Sequence, residues 1–204
     1  RGLAFVDKAG GTSTNATAVT TVAGAPALTF SPGRIDPGNT AWSASRKPLA
    51  GQFTWNGQTV FVIANHFNSK GGDQPLFGRF QPPSTPSETQ RHQQATVVRA
   101  FVDQIRAVNA AADVIVLGDL NDFEYSQTAT ILTAGGALLD LPTTLPLAER
   151  YSYVFQGNSQ ILDQILLGGA LSTTAFQYDI VHVNSEFANQ ASDHEPQVVR
   201  IPLP

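Results

Sequence analysis

The spacing of apolar positions changes character along this chain. From Thr59 to Ala64 they run almost without interruption (Thr-Val-Phe-Val-Ile-Ala), the pattern of a strand buried on both faces. Leu49–Trp55 precedes it, and Asn56-Gly57 lies between. Both turn residues tolerate positive φ, so the pair predicts a hairpin. From Ala95 to Val108 the period shifts to three and four: Ala95, Val98, Phe101, Val102, Ile105 and Val108 share one helical face. Thr85-Pro-Ser-Glu88 predicts the start of this helix, with Thr85 as N-cap and Glu88 closing a capping box. Its end is expected near Asn109.

Val114–Leu117 is a second continuous apolar strand. A strand, a helix and a strand in this order predict parallel neighbours joined by a helical crossover. A short helix is predicted from about Gln127 to Ala134, capped by Ser126 and stopped at Gly135-Gly136. Residues 161–167, 178–183 and 197–201 read as further strands, and residues 2–6, 17–22 and 27–30 as short early ones. The pattern describes one α/β layered domain over residues 1–204.

Composition narrows the function. Among 204 residues there is no Cys, which excludes a disulfide framework, a thiolate metal site and a thiol nucleophile. Methionine is also absent and the chain opens at Arg1, so a processed product or a piece of a longer chain is expected. No apolar run approaches the ~20 residues of a membrane span. The net charge of −4 does not mark a nucleic-acid binder, but its distribution is uneven. Residues 30–92 carry six basic and three acidic side chains; residues 93–204 carry four basic and twelve acidic. Cations from one half facing carboxylates from the other would fit a phosphate site. Ordinary surface charge fits the same count.

The informative polar residues fall at predicted strand ends, where layered α/β folds gather ligands. His66 follows the 59–64 strand, Gly118-Asp-Leu-Asn121 follows 114–117, Asp163 opens 161–167, and Ser192-Asp-His194 precedes 197–201. Asp119 and Asn121 are two apart, so in extended chain both face one side; turn capping explains them equally well. Asp163 within an apolar run needs a partner, and a histidine is the obvious one. His92 and His182 read as solvent-facing or structural. Neither a phosphate-binding Gly-Lys-Ser/Thr loop nor a Gly-x-Ser-x-Gly elbow is present.

Five segments together resemble the endonuclease/exonuclease/phosphatase superfamily, the DNase I-like fold. They are Ser45-Arg-Lys-Pro48, Asn65-His-Phe-Asn-Ser-Lys70, Gly118-Asp-Leu-Asn121, Leu162-Asp-Gln-Ile165 and Ser192-Asp-His-Glu-Pro196. The order and spacing are family-like over about residues 45–200. Segments 65–83 and 151–163 resemble the secreted or surface bacterial nucleases of that superfamily.

The resemblance implies a DNase I-like layered α/β sandwich of mixed sheets and flanking helices. It implies a metal-dependent phosphodiester hydrolase using Mg²⁺, with Ca²⁺ or Mn²⁺ as alternatives. The implied substrate is DNA or RNA and the implied location extracellular or at a bacterial cell surface. It assigns His66 to the scissile phosphate, and Asp119 and Asn121 to the nucleophilic water, metal and phosphate. Asp193 would be a metal ligand, His194 would help activate the water, and Asp163 would orient His194. Arg46, Asn65 and Lys70 are expected to contact substrate. A lipid phosphodiesterase or phosphatase of the same fold, or a noncatalytic module, are the alternatives.

No segment matches the family's first strands, which carry an Asn and a metal-binding Glu. The resemblance therefore implies a domain lacking its N-terminal strands, with weak or no activity of its own and apolar sheet surface left exposed.

Overall fold

The computed structural model describes residues 2–203. Its early strands are short: β1 (Ala4–Phe5), β2 (Ala16–Thr17), β3 (Val19–Val22), β4 (Ala25–Leu28) and β5 (Gly33–Ile35). The long ones follow as β6 (Leu49–Trp55) and β7 (Gln58–His66), then helix α1 (Glu88–Val108) and β8 (Asp113–Asp119). Helix α2 (Gln127–Thr133) leads to β9 (Leu138–Asp140), β10 (Tyr153–Phe155), β11 (Asn158–Gln160), β12 (Asp163–Gly168), β13 (Gln177–Ile180) and β14 (Gln197–Arg200). The central sheet has eight strands in the order β2-β5-β6-β7-β8-β12-β9, with β1 also paired to β6.

The predicted hairpin forms with Trp55 opposite Gln58. Asn56 and Gly57 take φ of 46° and 80°, the left-handed turn that the dipeptide permits. β7 and β8 are parallel, joined through α1 as the pattern required. Val98, Phe101, Val102 and Ile105 of α1 pack on Phe61, Ile63, Val114 and Val116 in one buried cluster. Truncating such a side chain to Ala costs about 2–5 kcal/mol.

The opposite face of the sheet is less completely covered. Val60, Leu141, Leu167 and Leu171 are buried there, while Val62, Ile115, Ile165, Tyr178 and Val199 are only half-buried. Ala64 is exposed on that face, and Val198 of the β13–β14 hairpin is 55% exposed.

Of the boundaries that differ from expectation, two have a clear physical cause. Helix α1 begins at Glu88, and Ser87 rather than Thr85 holds the cap position. No capping box forms. Instead the Asp73 carboxylate, from the preceding loop, accepts hydrogen bonds from the Ser87 N–H and hydroxyl. An anion at a helix N-terminus is favourable whichever segment supplies it, and a remote carboxylate here displaces the local one. The strand expected over 178–183 spans Gln177–Ile180, because the chain then turns to bind Glu195. Helix α2 behaves as predicted: the Ser126 hydroxyl accepts from the Ala129 N–H.

Candidate active site

Strand register builds the core of the site. In the β7–β8 pair His66 lies opposite Asp119, and in the β8–β12 pair Asp119 lies opposite Asp163. Residues in register on adjacent strands point to the same face. One row across three strands therefore carries an imidazole and two carboxylates at the strand ends. His66 Nε2 lies 3.3 Å from Asp119 Oδ2. His66 is half exposed and Asp119 largely buried. Gly118 permits this row: its φ is +125°, and a Cβ there would stand 2.0 Å from the Asn65 carbonyl oxygen.

The fourth member arrives from the far end of the chain. His194 Nδ1 is 2.6 Å from Asp163 Oδ2. Asp163 also accepts from the Ser152 hydroxyl at 2.7 Å, and Ser152 Oγ in turn accepts from the Asp163 and Leu162 N–H groups. A fully buried serine thus holds the aspartate that holds the histidine. The segment is pinned by Glu195, which accepts from the N–H groups of Val183, Asn184 and Ser185 and from the Ser185 hydroxyl. Burial pushes the Glu195 carboxyl up, but these hydrogen bonds outweigh it and hold it below the ordinary carboxylate range.

Asn121 sits in the turn after β8 with a φ of 52°. Its N–H and Nδ2 both donate to Asp119, and Nδ2 also reaches the Phe67 carbonyl at 3.2 Å. Arg46 donates to the same carbonyl at 2.9 Å, which fixes the guanidinium beside the chain leaving His66. Lys70 Nζ is 3.2 Å from Asp122 and 4.2 Å above the Phe123 ring.

Electrostatics shift Asp119 and His194. Desolvation pushes the Asp119 carboxyl above its ordinary range. The neighbouring Asp163 adds to this, against the Asn121 N–H, His194 and His66. The His194 imidazole is raised, chiefly by its hydrogen bond to Asp163, against the cost of its own burial.

Asp119, Asp163 and His194 offer ligand atoms within 4.8 Å of one another. Asp163 Oδ2 serves Ser152 and His194, and the Asp119 oxygens accept from Asn121, so a cation here would share each carboxylate with those bonds. A dication would offset both the burial and the Asp163 repulsion that raise the Asp119 carboxyl. Hard oxygen donors of this kind suit Mg²⁺, Mn²⁺ or Ca²⁺.

The structure thus brings His66, Asp119, Asn121, Asp163 and His194 together, with Arg46 at the rim. Asp193 is exposed beside His194 and lines the same cleft, outside the tight cluster. Asn65 is not brought to the cleft. Strand alternation turns it to the face opposite His66, where its amide donates to the Ile63 and Leu117 carbonyls. Lys70 lines the cleft but is committed to Asp122. His92 and His182 lie apart from the row; His182 stacks on Tyr151 at 3.9 Å.

Sequence reading missed Ser152 and a buried ion network next to the site. Arg91, fully buried, donates to Asp122 at 3.1 Å. Asp122 also accepts from Lys70 and Thr128. The only signal for Asp122 was its position directly after Asn121; for Arg91 it was helical spacing, which puts it one turn before Ala95 on the apolar face.

Residues 34–196 match the sequence profile described as the Endonuclease/Exonuclease/phosphatase family. The chain belongs to that family. No curated protein sequence matches. Solved structures of the same fold include sphingomyelinase C from Streptomyces griseocarneus, 18% identical with a TM-score of 0.53, covering 77% of this chain and 57% of that one. Truncated TDP2 from Caenorhabditis elegans is 17% identical with a TM-score of 0.56, covering 78% and 61%. A mannosyl-6-phosphatase from Bacteroides thetaiotaomicron is 16% identical with a TM-score of 0.56, covering 99% and 68%. The chain therefore spans about 57% to 61% of the first two structures. At these identities the likeness establishes the DNase I-like mixed α/β fold.

Proposed function

We propose that this protein is a metal-dependent phosphodiesterase acting on nucleic acid. The observation that carries the reading is the in-register row His66–Asp119–Asp163, completed by His194 on Asp163. Hydrolysing a phosphodiester needs an oriented water, charge relief on the phosphoryl oxygens and a proton for the leaving oxygen.

Asp163 accepts from Nδ1 of His194, which leaves Nε2 to take a proton from the attacking water. Asp119 and Asn121 hold that water in line with phosphorus. As the water oxygen bonds to phosphorus, the bond to the leaving oxygen breaks, and His66 protonates the departing group. Arg46 faces the phosphoryl oxygens. Bound at Asp119, with Asn121 and Asp193 nearby, a divalent cation would supply charge neutralisation.

We also propose action outside the cell or at its surface, on the likeness of segments 65–83 and 151–163 to secreted bacterial nucleases. The test is cleavage of plasmid DNA and of RNA in Mg²⁺, Mn²⁺ or Ca²⁺, beside sphingomyelin and a sugar phosphate. Nucleic-acid cleavage that stops on chelation is expected. Turnover of sphingomyelin or the sugar phosphate alone would overturn the nuclease reading.

A further inference from the structure

Next to the catalytic row lies a cleft of about 950 Å³, whose lining includes His194, Asp193 and Asn121. Three aromatic side chains of its lining stand largely in water: Phe77, Tyr125 and Phe155, at 77%, 73% and 50% exposure. Aromatic rings are costly to leave this exposed, and their concentration in one concave surface marks a binding site. They are also ordered relative to the chemistry. The Tyr153 ring lies 4.9 Å from the His194 ring, and Phe155 continues the run at 6.2 Å, nearly parallel to Tyr153. From the loop after β8, Phe123 and Tyr125 form a second parallel pair 5.2 Å apart.

The polar part of the lining narrows the ligand. Gln127, Gln156, Asn158 and Gln160 add four amide-bearing residues to the lining, Asn158 with its Nδ2 donating to the Phe155 and Gln156 carbonyls. Burying these against acyl chains would leave donors and acceptors unpaired, which is unfavourable. Planar groups with hydrogen-bonding edges would satisfy them. The charged lining is mixed, with Lys70 facing Asp73, Glu88, Asp122 and Asp193. A groove for duplex DNA needs many cationic phosphate contacts. With one cation against four carboxylates the cleft offers little to the paired phosphates of a duplex, and recognition of a strand beside the phosphate site falls to the flat faces and open edges of its unstacked bases.

We propose that Tyr125 and Phe155 are stacking platforms for bases flanking the scissile phosphate, making single-stranded nucleic acid the preferred substrate. The inference rests on the phosphodiesterase reading for its chemistry, and on the cleft alone for its recognition. Neither ring takes part in the proton transfers, so their removal weakens binding rather than turnover.

The experiment measures kcat and KM for Tyr125→Ala and Phe155→Ala on a single-stranded oligonucleotide, on its duplex, and on a strand abasic at the positions flanking the cleaved bond. Each variant is expected to raise KM for the single strand roughly tenfold with little change in kcat. Tyr125→Phe and Phe155→Tyr should restore it. The abasic strand should start with a high KM and respond to neither variant. Equal effects on abasic and base-bearing strands, or no effect, would overturn the proposal. So would loss of activity confined to sphingomyelin vesicles.

A parallel titration in chelator follows the fluorescence of a 2-aminopurine strand, which reads stacking without turnover. Quenching by the unaltered protein that the Ala variants lose supports the platforms even if no phosphodiester is cleaved. An unquenched probe with normal cleavage removes the platforms and leaves the phosphodiesterase standing.

Discussion

His194 and Asp163 are thirty-one residues apart in sequence, yet Nδ1 of one lies 2.6 Å from Oδ2 of the other. That hydrogen bond fixes the tautomer of His194 and leads the causes that raise its pKa above the ordinary 6.5. His194 accepts a proton only when neutral. The rate should therefore climb with pH through an inflection above 6.5. Asp163→Asn should move that inflection down and lower the rate, because the imidazolium loses its counter-charge. His194→Ala should cost about 10²–10⁴ in kcat. A kcat/KM profile against pH checks all three outcomes.

Arg91 is fully buried with Asp122 as its nearest carboxylate. Asp122→Ala would leave the buried Arg91 with the more distant Asp73, 3.7 Å away, as its carboxylate and should destabilise the fold by about 1–3 kcal/mol. Replacing both partners, Arg91→Met with Asp122→Leu, should recover much of that loss. Denaturant unfolding of the single and double variants checks it. The same pair also predicts acid sensitivity. Desolvation pushes the Asp122 carboxyl up, but Lys70 and Arg91 outweigh it and hold the group below 3.8. Its contribution is present at neutral pH and is lost as pH falls below that value.

Asp140 is buried, and neither carboxylate oxygen finds a hydrogen-bond partner among the described residues. Burial, reinforced by Glu124 and opposed by Arg150, pushes its pKa up to about 8. In the unfolded chain it ionises near the ordinary 3.8. Between those values the folded state holds a proton that the unfolded state releases, so the site costs stability progressively as pH rises. Asp140→Asn should therefore raise the Tm, and by more at pH 8 than at pH 5. Scanning calorimetry at the two values measures the difference; an equal gain at both would refute it.

Gly118 of β8 lets β7 approach at the level of the catalytic row, paired with Asn65. Gly118→Ala puts a methyl group against the Asn65 carbonyl in a backbone conformation that L side chains rarely adopt. The expected cost exceeds about 1 kcal/mol. Activity should fall even at temperatures where the variant stays folded, since the row can only give by separating His66 from Asp119. Thermal melting combined with kinetics below the melt distinguishes the two effects.

Local patterning alone determined the elements that carry the site. The unbroken apolar runs of β7 and β8 and the three-four spacing of α1 required a parallel pair with a crossover helix, because only that arrangement buries those faces. Asn56-Gly57 required the hairpin. The strand ends then placed His66, Asp119 and Asp163 as candidates, and the motif order pointed to the family. Tertiary structure decided what no local signal encodes. Register put the three side chains in one row, while strand alternation sent Asn65 to the opposite face. The N-terminus of α1 took its cap from Asp73, because a remote carboxylate satisfied the same N–H donors as a local one. Helical spacing put Arg91 in line with Ala95, Val98, Val102 and Ile105, but only the folded chain supplied Asp122 to pair with a charge on that face. Periodicity reports which face a residue occupies; the partner that makes a buried charge tolerable is supplied by a distant segment and exists only once the chain has folded.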